Sequence, residues 1–361
     1  MNVQKAFNYS LVACLLSASF ASGAGHSGVE ADLRSGSFRR LAQLLPADSQ
    51  FFLFCDLSKI SSRPGGGALV RGLKHSLREY VESQETGGAF DKALEELQLA
   101  TGLDPLGAQG RFIVARRDVG GSYNLFWDPR IFNVIAQGAF DITGAAIEEH
   151  FGRQERSYWP GGEIHFHRVD ERREWSLETW AVAVREKGLL YLGDKQWIDV
   201  ALRGGQARSL DARLLSLSDK IRYQDQLWIV IDSPVFSRRL FGEGFLEKPL
   251  ELEEEQIPRL ILSLRVGKGL ELELRMITES AAGAESLLAA LRGISLLETL
   301  EDECLFSSKA IEKELLSALR RAGKIELDSN QIIWTIDLPA PTLQAGSELV
   351  GLAVLLTLNS F

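Results

Sequence analysis

The chain has 361 residues, 45% hydrophobic and 25% charged, with a formal net charge of −9. That length and apolar content fit a globular protein of two domains, or one large one, with material for a sizeable core. The acidic balance excludes non-specific nucleic-acid binding, which needs a basic face to displace counterions from phosphates, and disfavours electrostatic docking on an anionic membrane.

Residues 1–24 read as an export signal. Lys5 gives a short positive start, and Leu11-Val12-Ala13-Cys14-Leu15-Leu16-Ser17-Ala18-Ser19-Phe20 forms an apolar run of about ten residues. Ala21-Ser22-Gly23-Ala24 then offers the small side chains that a signal peptidase accepts. A membrane-spanning helix needs roughly 20 apolar residues, so the run is too short to persist as an anchor, and cleavage after Ala21 or Ala24 is expected. Leu11-Val12-Ala13-Cys14 also has the form of a lipobox, whose cysteine would be acylated. Asn8, Tyr9 and Ser10 interrupt the apolar stretch before Cys14, and the best apolar residues follow it, which favours ordinary cleavage. The expected location is periplasmic or secreted, with lipid anchoring through Cys14 as the alternative.

Along the mature chain one order of elements occurs twice. Residues 38–45 read as helical and end at the turn Pro46-Ala47-Asp48, after which Phe51-Phe52-Leu53-Phe54-Cys55 reads as a strand closing on Asp56. In the second half residues 210–221 read as helical, and Leu227-Trp228-Ile229-Val230-Ile231 reads as a strand closing on Asp232. Both aspartates sit at strand-end or cap positions. Strand candidates over 111–115 and 131–136 lead to a helical stretch over 142–151; those over 259–266 and 270–277 lead to one over 281–291. The hairpin 180–184/189–192, turning at Glu186-Lys187-Gly188, is matched by 324–327/331–336, turning at Asp328-Ser329-Asn330. A helix over 195–202 closes the first half, and the apolar run Leu349-Val350-Gly351-Leu352-Ala353-Val354-Leu355-Leu356-Thr357-Leu358 takes its place in the second.

The halves divide near Gly204-Gly205-Gln206, giving a first unit over 38–205 and a second over 206–361. Strands joined by short turns, with helices grouped between hairpins, predict an α+β fold: two tandem, divergent units of antiparallel sheet with packed helices. The first half also holds a helical insertion over 68–100, with Leu69, Leu73, Leu77 and Tyr80, then Phe90, Leu94 and Leu97, at helical spacing. The second holds an acidic loop over 243–256. Cys55 and Cys304 remain in the mature chain; an exported protein can keep a disulfide between them, whereas Cys55 within its apolar run reads more simply as a small buried hydrophobe.

Pro46-Ala47-Asp48 before a strand ending in Asp56, the later Thr101-Gly102-Leu103-Asp104-Pro105, and the paired hairpin-helix units resemble a family of uncharacterised exported bacterial proteins carrying a domain of unknown function. The likeness spans most of the mature chain, and its motifs are turn signals. It implies a duplicated α+β fold and an envelope location, and it carries over no catalytic residue.

Chemistry is sparse. His165 and His167 share one face of a strand, with Glu163 on that face too, and two imidazoles with a carboxylate make a zinc site with an open position. The competing reading is a strand with Ile164 and Phe166 facing the core and the polar residues in solvent; His150 is the one further histidine nearby in sequence. No Gly-x-Ser-x-Gly elbow is present, since Gly293-Ile294-Ser295-Leu296-Leu297 lacks the second glycine. Gly65-Gly66-Gly67 lacks the Lys-Ser/Thr of a phosphate loop. Glu247, Glu251, Glu253, Glu254 and Glu255 lack the spacing of a calcium loop and read as a solvated segment. Arg168, Arg172 and Arg173 are interleaved with Asp170, Glu171 and Glu174, a solvated loop rather than an anion site. Trp127, Trp159, Trp175 and Trp180 read as core or rim residues before a sugar platform.

The resulting expectation is an exported, non-enzymatic binding or scaffold protein of the cell envelope, without cofactor, nucleic acid or a transmembrane span in the mature chain. Its partner would be another envelope protein, contacted through Leu349 to Leu358. The alternative is a metal-dependent hydrolase using Glu163, His165 and His167.

Overall fold

A computed structural model of the chain describes residues 42–46, 48–67, 70, 110–117, 132–137, 155–159, 162–167, 180–186, 189–194, 197–198, 201, 212–222, 225–235, 237–238, 252–293 and 323–338. Two compact units emerge, one of residues 1–58 and 78–218, the other of 59–77 and 219–361.

The first unit holds β1 (Ser49–Asp56), β2 (Arg111–Arg117), β3 (Phe132–Gln137), β4 (Glu155–Trp159), β5 (Gly162–His167), β6 (Trp180–Glu186) and β7 (Leu189–Asp194). They lie in the order β1-β2-β3-β7-β6-β5-β4, every neighbour antiparallel. The second holds β8 (Leu227–Ile231), β9 (Arg259–Val266), β10 (Leu270–Ile277), β11 (Gly323–Asp328) and β12 (Gln331–Leu338), in the order β8-β9-β10-β12-β11, again antiparallel. In both units three strands run in sequence order, and a later hairpin joins by its second strand. β7 pairs with β3 as β12 pairs with β10.

Burial follows the residue pattern. β1 carries the unbroken apolar run Phe51-Phe52-Leu53-Phe54-Cys55, and Phe51, Phe52 and Phe54 are each 1% exposed although successive side chains point to opposite faces. β8 is likewise buried at every position. Such runs belong to strands covered on both sides, and each buried large apolar side chain contributes about 1.5–3 kcal/mol. β10 alternates instead: Leu270, Leu272, Leu274 and Met276 share one face, and Glu271, Glu273 and Arg275 the other. β11 is exposed along nearly its whole length.

Helices are few among the described residues. Those described in full are α1 (Leu57–Ser61), α2 (Ala212–Ser218) and α3 (Ala281–Gly293), with a 3-10 turn over Glu254–Gln256; residues 42, 66–67, 70, 197–198, 201, 234–235 and 237–238 are also helical, those at 197, 198 and 201 lying within the helix expected over 195–202. α3 buries Ala284, Leu287, Leu288 and Leu291, one stripe at helical spacing. Ser280 caps its start by accepting the Gly283 N–H at 3.0 Å. Gly283 is required there, since a Cβ would collide with the carbonyl of Glu255.

The fold class is therefore mainly β, and the α+β expectation is corrected: antiparallel strands dominate the described residues, and packed helices do not form a comparable layer. The apolar strand runs pair into continuous hydrogen-bonded ladders, whereas an amphipathic period marks a helix without fixing how large a layer it builds. Where that periodicity falls on described residues it yields short elements, 7 residues at α2 and 13 at α3. The expected helices over 142–151 and 349–358, and nearly all of 68–100, lie outside the described residues, as do the signal segment, Cys14 and Cys304. β4 is a strand beyond those expected, and the dipeptide Pro160-Gly161, a turn signal in sequence between the paired Trp159 and Gly162, is what could have marked it.

Candidate functional site

Each unit closes its first strand with an ion pair to the strand beside it. In the first, Asp56 ends β1 opposite Arg111, the first residue of β2, and Arg111 Nε donates to Asp56 Oδ2 at 2.8 Å. Ser58 Oγ donates to the other carboxylate oxygen at 2.5 Å, and Arg111 Nη1 reaches Gln137 on β3 at 3.4 Å. In the second, Asp232 follows β8, and Arg259, the first residue of β9, holds it at 3.1 Å. Both pairs straddle the end of a ladder, where the chain turns away and peptide groups need fixing.

The second unit adds a larger charged cluster on the polar face of β9 and β10. Arg222, in the segment leaving α2, reaches Glu271 at 2.5 Å, Glu273 at 3.0 Å and Asp225 at 3.4 Å. Arg265 on β9 holds Asp225 at 2.8 Å, and Arg275 holds Glu273 at 2.6 Å. Register explains the grouping: Glu271 lies opposite Arg265 and Glu273 opposite Ser263, while residues two apart on a strand share a face. Lys220 donates to Gln331 at 3.3 Å, so the same segment is fastened to β12 as well. Beside the cluster, Gln226 Oε1 accepts the Val266 N–H at 2.7 Å, extending the β8–β9 ladder with a side chain.

Asp225 and Glu273 are shifted in opposite directions. Burial raises Asp225 above the usual carboxylate range, against the lowering pull of Arg222 and Arg265. Burial also acts to raise Glu273, but hydrogen bonds and charge from Arg275 and Arg222 outweigh it, and the net shift is downward. Arg222 is raised: burial opposes its charge, and the contacts with Glu271, Asp225 and Glu273 prevail. Three guanidinium groups and three carboxylates bridge one another, although Arg265 Nη2 is buried without a hydrogen-bond partner. That is the chemistry of a clamp, holding Arg222 and Asp225 on the polar face of β9 and β10, rather than of a proton donor or nucleophile.

Cys55 is a free, buried thiol whose pKa is pushed far upward by burial and by the neighbouring Asp56. A thiol held protonated is a poor nucleophile and metal ligand. Cys304 lies outside the described residues.

Glu163, His165 and His167 lie at alternate positions of β5. Glu163 is opposite Tyr158 and Val184, His165 opposite Arg156 and Val182, and His167 opposite Trp180. Their ligand role concerns side chains outside the described ones, and His150 also lies outside. Among the described residues, no group of three or more His, Cys, Asp or Glu side chains is placed to hold a metal ion. Glu253, Glu254 and Glu255 of the acidic stretch are exposed around the 3-10 turn. No helix among the described residues is long and apolar enough to cross a membrane.

The charged cluster was missed in sequence. Its signal was the alternation Leu270-Glu271-Leu272-Glu273-Leu274-Arg275-Met276, a strand that sets charges on one face where Arg265 of β9 stands opposite. Arg222 gave no such signal: beyond Asp225, three residues on, its partners Glu271 and Glu273 lie some fifty residues away.

No family model matches the chain, and no curated protein matches it. A solved structure described as crystal form I of TP0453 aligns with 86% of this chain and 95% of its own, at 10% identity and a TM-score of 0.37, a likeness too low to support an argument about fold or function.

Proposed function

We propose that this chain is an exported, non-enzymatic binding or scaffold protein of the bacterial cell envelope. The observation that carries the reading is the N-terminal succession of Lys5, the apolar run from Leu11 to Phe20, and the small residues Ala21-Ser22-Gly23-Ala24. Two features of the described residues support a binding rather than a catalytic role. Arg222, Arg265 and Arg275 are engaged in ion pairs with Asp225, Glu271 and Glu273, and the Cys55 thiol is buried with its pKa pushed upward. The test is mass spectrometry of the protein recovered from the cell that makes it. A mature N-terminus between Ser22 and Gly25, without an acyl chain, is expected; an acylated Cys14 at the N-terminus would replace export to the periplasm with lipid anchoring.

A metal-dependent hydrolase is the second reading, and the alternate placement of Glu163, His165 and His167 on β5 favours it. Elemental analysis separates the two. The binding reading expects no stoichiometric zinc, and a double His165→Ala, His167→Ala change that alters stability by less than about 0.5 kcal/mol, as surface substitutions do. Zinc that is bound by the purified protein and lost on that double change would establish the hydrolase reading instead. The partner surface at Leu349 to Leu358 lies outside the described residues and stays part of the proposal.

A further inference from the structure

β6 and β11 hold the same place in their units: each is the first strand of the late hairpin and lies outside the second. The outer edge of β6 is paired antiparallel with β5, in register from Glu163 opposite Val184 to His167 opposite Trp180. The outer edge of β11 meets no strand among the described residues, and β11 is bonded to β12 alone. It also carries two exposed large apolar side chains, Ile325 at 48% and Leu327 at 41%. An unpaired edge of this kind is a template for another strand.

The hairpin turn settles which peptide groups the edge presents. Asp328 lies opposite Gln331 across the two-residue loop Ser329-Asn330, with Ser329 at φ 56°. Residues that flank such a loop face each other with their N–H and C=O groups, and the sense alternates along the strand. Asp328, Glu326 and Lys324 therefore direct their peptide groups at β12, and Leu327, Ile325 and Gly323 direct theirs outward. The side chains sort in the same alternation: Ile325 and Leu327 on one face, Lys324, Glu326 and Asp328 on the other.

We propose that the outer edge of β11 pairs antiparallel with β11 of a second copy of this chain, about a two-fold axis at Ile325. Charge complementarity selects that register. With Ile325 opposite Ile325 of the other copy, Lys324 lies opposite Glu326 twice over, and Leu327 lies opposite Gly323, where no Cβ competes for space. Shifting by one step in either direction along the axis sets Glu326 against Glu326 or Lys324 against Lys324, and like charges directly opposite destabilise a sheet. The Lys324–Glu326 pairs fall at the sites without mutual hydrogen bonds, where side chains approach most closely. The outward groups of Gly323, Ile325 and Leu327 then find partners, and Ile325 of each copy covers the other. The interface is isologous and closes at a dimer.

Sedimentation velocity of the purified protein over a dilution series tests this. The expected result is a reversible monomer–dimer equilibrium. Lys324→Glu alone and Glu326→Lys alone should each weaken dimerisation about tenfold, since both turn two attractive pairs into repulsive ones. The double swap Lys324→Glu with Glu326→Lys should restore it to near the wild-type value, which also shows that the single variants fold. Ile325→Pro removes an outward N–H without touching the β12 ladder, and should abolish the dimer while leaving the melting curve close to wild type. Protein that is monomeric throughout the series overturns the proposal, as does a dimer indifferent to Ile325→Pro, or one that the double swap fails to restore.

Discussion

In the first unit, β6 is paired on both sides, by β7 and by the hairpin β4–β5; in the second, β11 is paired by β12 and ends the described sheet with its apolar side chains exposed. A similar contrast occurs at the strand ends. The Asp56 side chain is 0% exposed and held by Arg111, whereas Asp232 is 11% exposed and held by Arg259 at slightly greater length. One strand order thus encloses β6 in the first unit and leaves the equivalent β11 at the edge of the described sheet in the second; the outer strand of the first unit is β4, which pairs with β5 alone among the described strands. The strand-end ion pair of the second unit is also nearer to water.

If enclosure is the real difference, equivalent changes should cost unequal amounts. Arg111→Ala leaves a fully buried carboxylate without its guanidinium, and breaking a buried pair from one side costs about 3–5 kcal/mol. Arg259→Ala uncovers a carboxylate that water reaches, and a loss of about 1 kcal/mol is expected, close to that of exposed pairs. Denaturant melts of the two variants measure both. Equal losses would mean that the strand-end pairs are energetically alike and that the difference in exposure is incidental.

The parts legible in the sequence are those whose cause is local. Phe51-Phe52-Leu53-Phe54-Cys55 and Leu227-Trp228-Ile229-Val230-Ile231 announce strands buried on both faces, and β8, β9 and β10 begin and end where their apolar patterns do. The turn at Ser329-Asn330 is equally local. The mainly β character was not legible, because an amphipathic period marks a helix without saying how large a layer it builds. The cluster around Arg222 was hidden for a different reason. Its three carboxylates come from the strand start near Asp225 and from β10, and only the antiparallel register of β9 and β10 brings Arg265 and Glu271 side by side. The bare edge of β11 is a property of the sheet as a whole, and Gly323-Lys324-Ile325-Glu326-Leu327-Asp328 reads as an ordinary half-exposed strand until its neighbours are known.

The cluster offers the finer test of the same contrast, because carboxylates that share guanidinium groups should not fail as Asp56 does. Glu273 has its pKa lowered in the folded protein, so its ionised form contributes stability above the ordinary glutamate value and loses it as pH falls through the folded value. Glu273→Gln should therefore cost about 1.5–3 kcal/mol at neutral pH, the range for a lost charge-assisted hydrogen bond, and its gap from wild type should close as pH falls below the ordinary glutamate value and through the lowered folded one. Asp225 has its pKa raised, so the folded state binds the proton more tightly than the unfolded chain, and ionisation costs stability that returns as pH falls. Asp225→Asn should accordingly lie within about 1 kcal/mol of wild type at neutral pH, and acidification should favour wild type relative to this variant. Urea titrations at a series of pH values would follow both gaps. They should move in opposite directions on acidification. If they move together, the two carboxylates do not differ in how burial and the neighbouring arginines balance, and the cluster is a set of independent ion pairs.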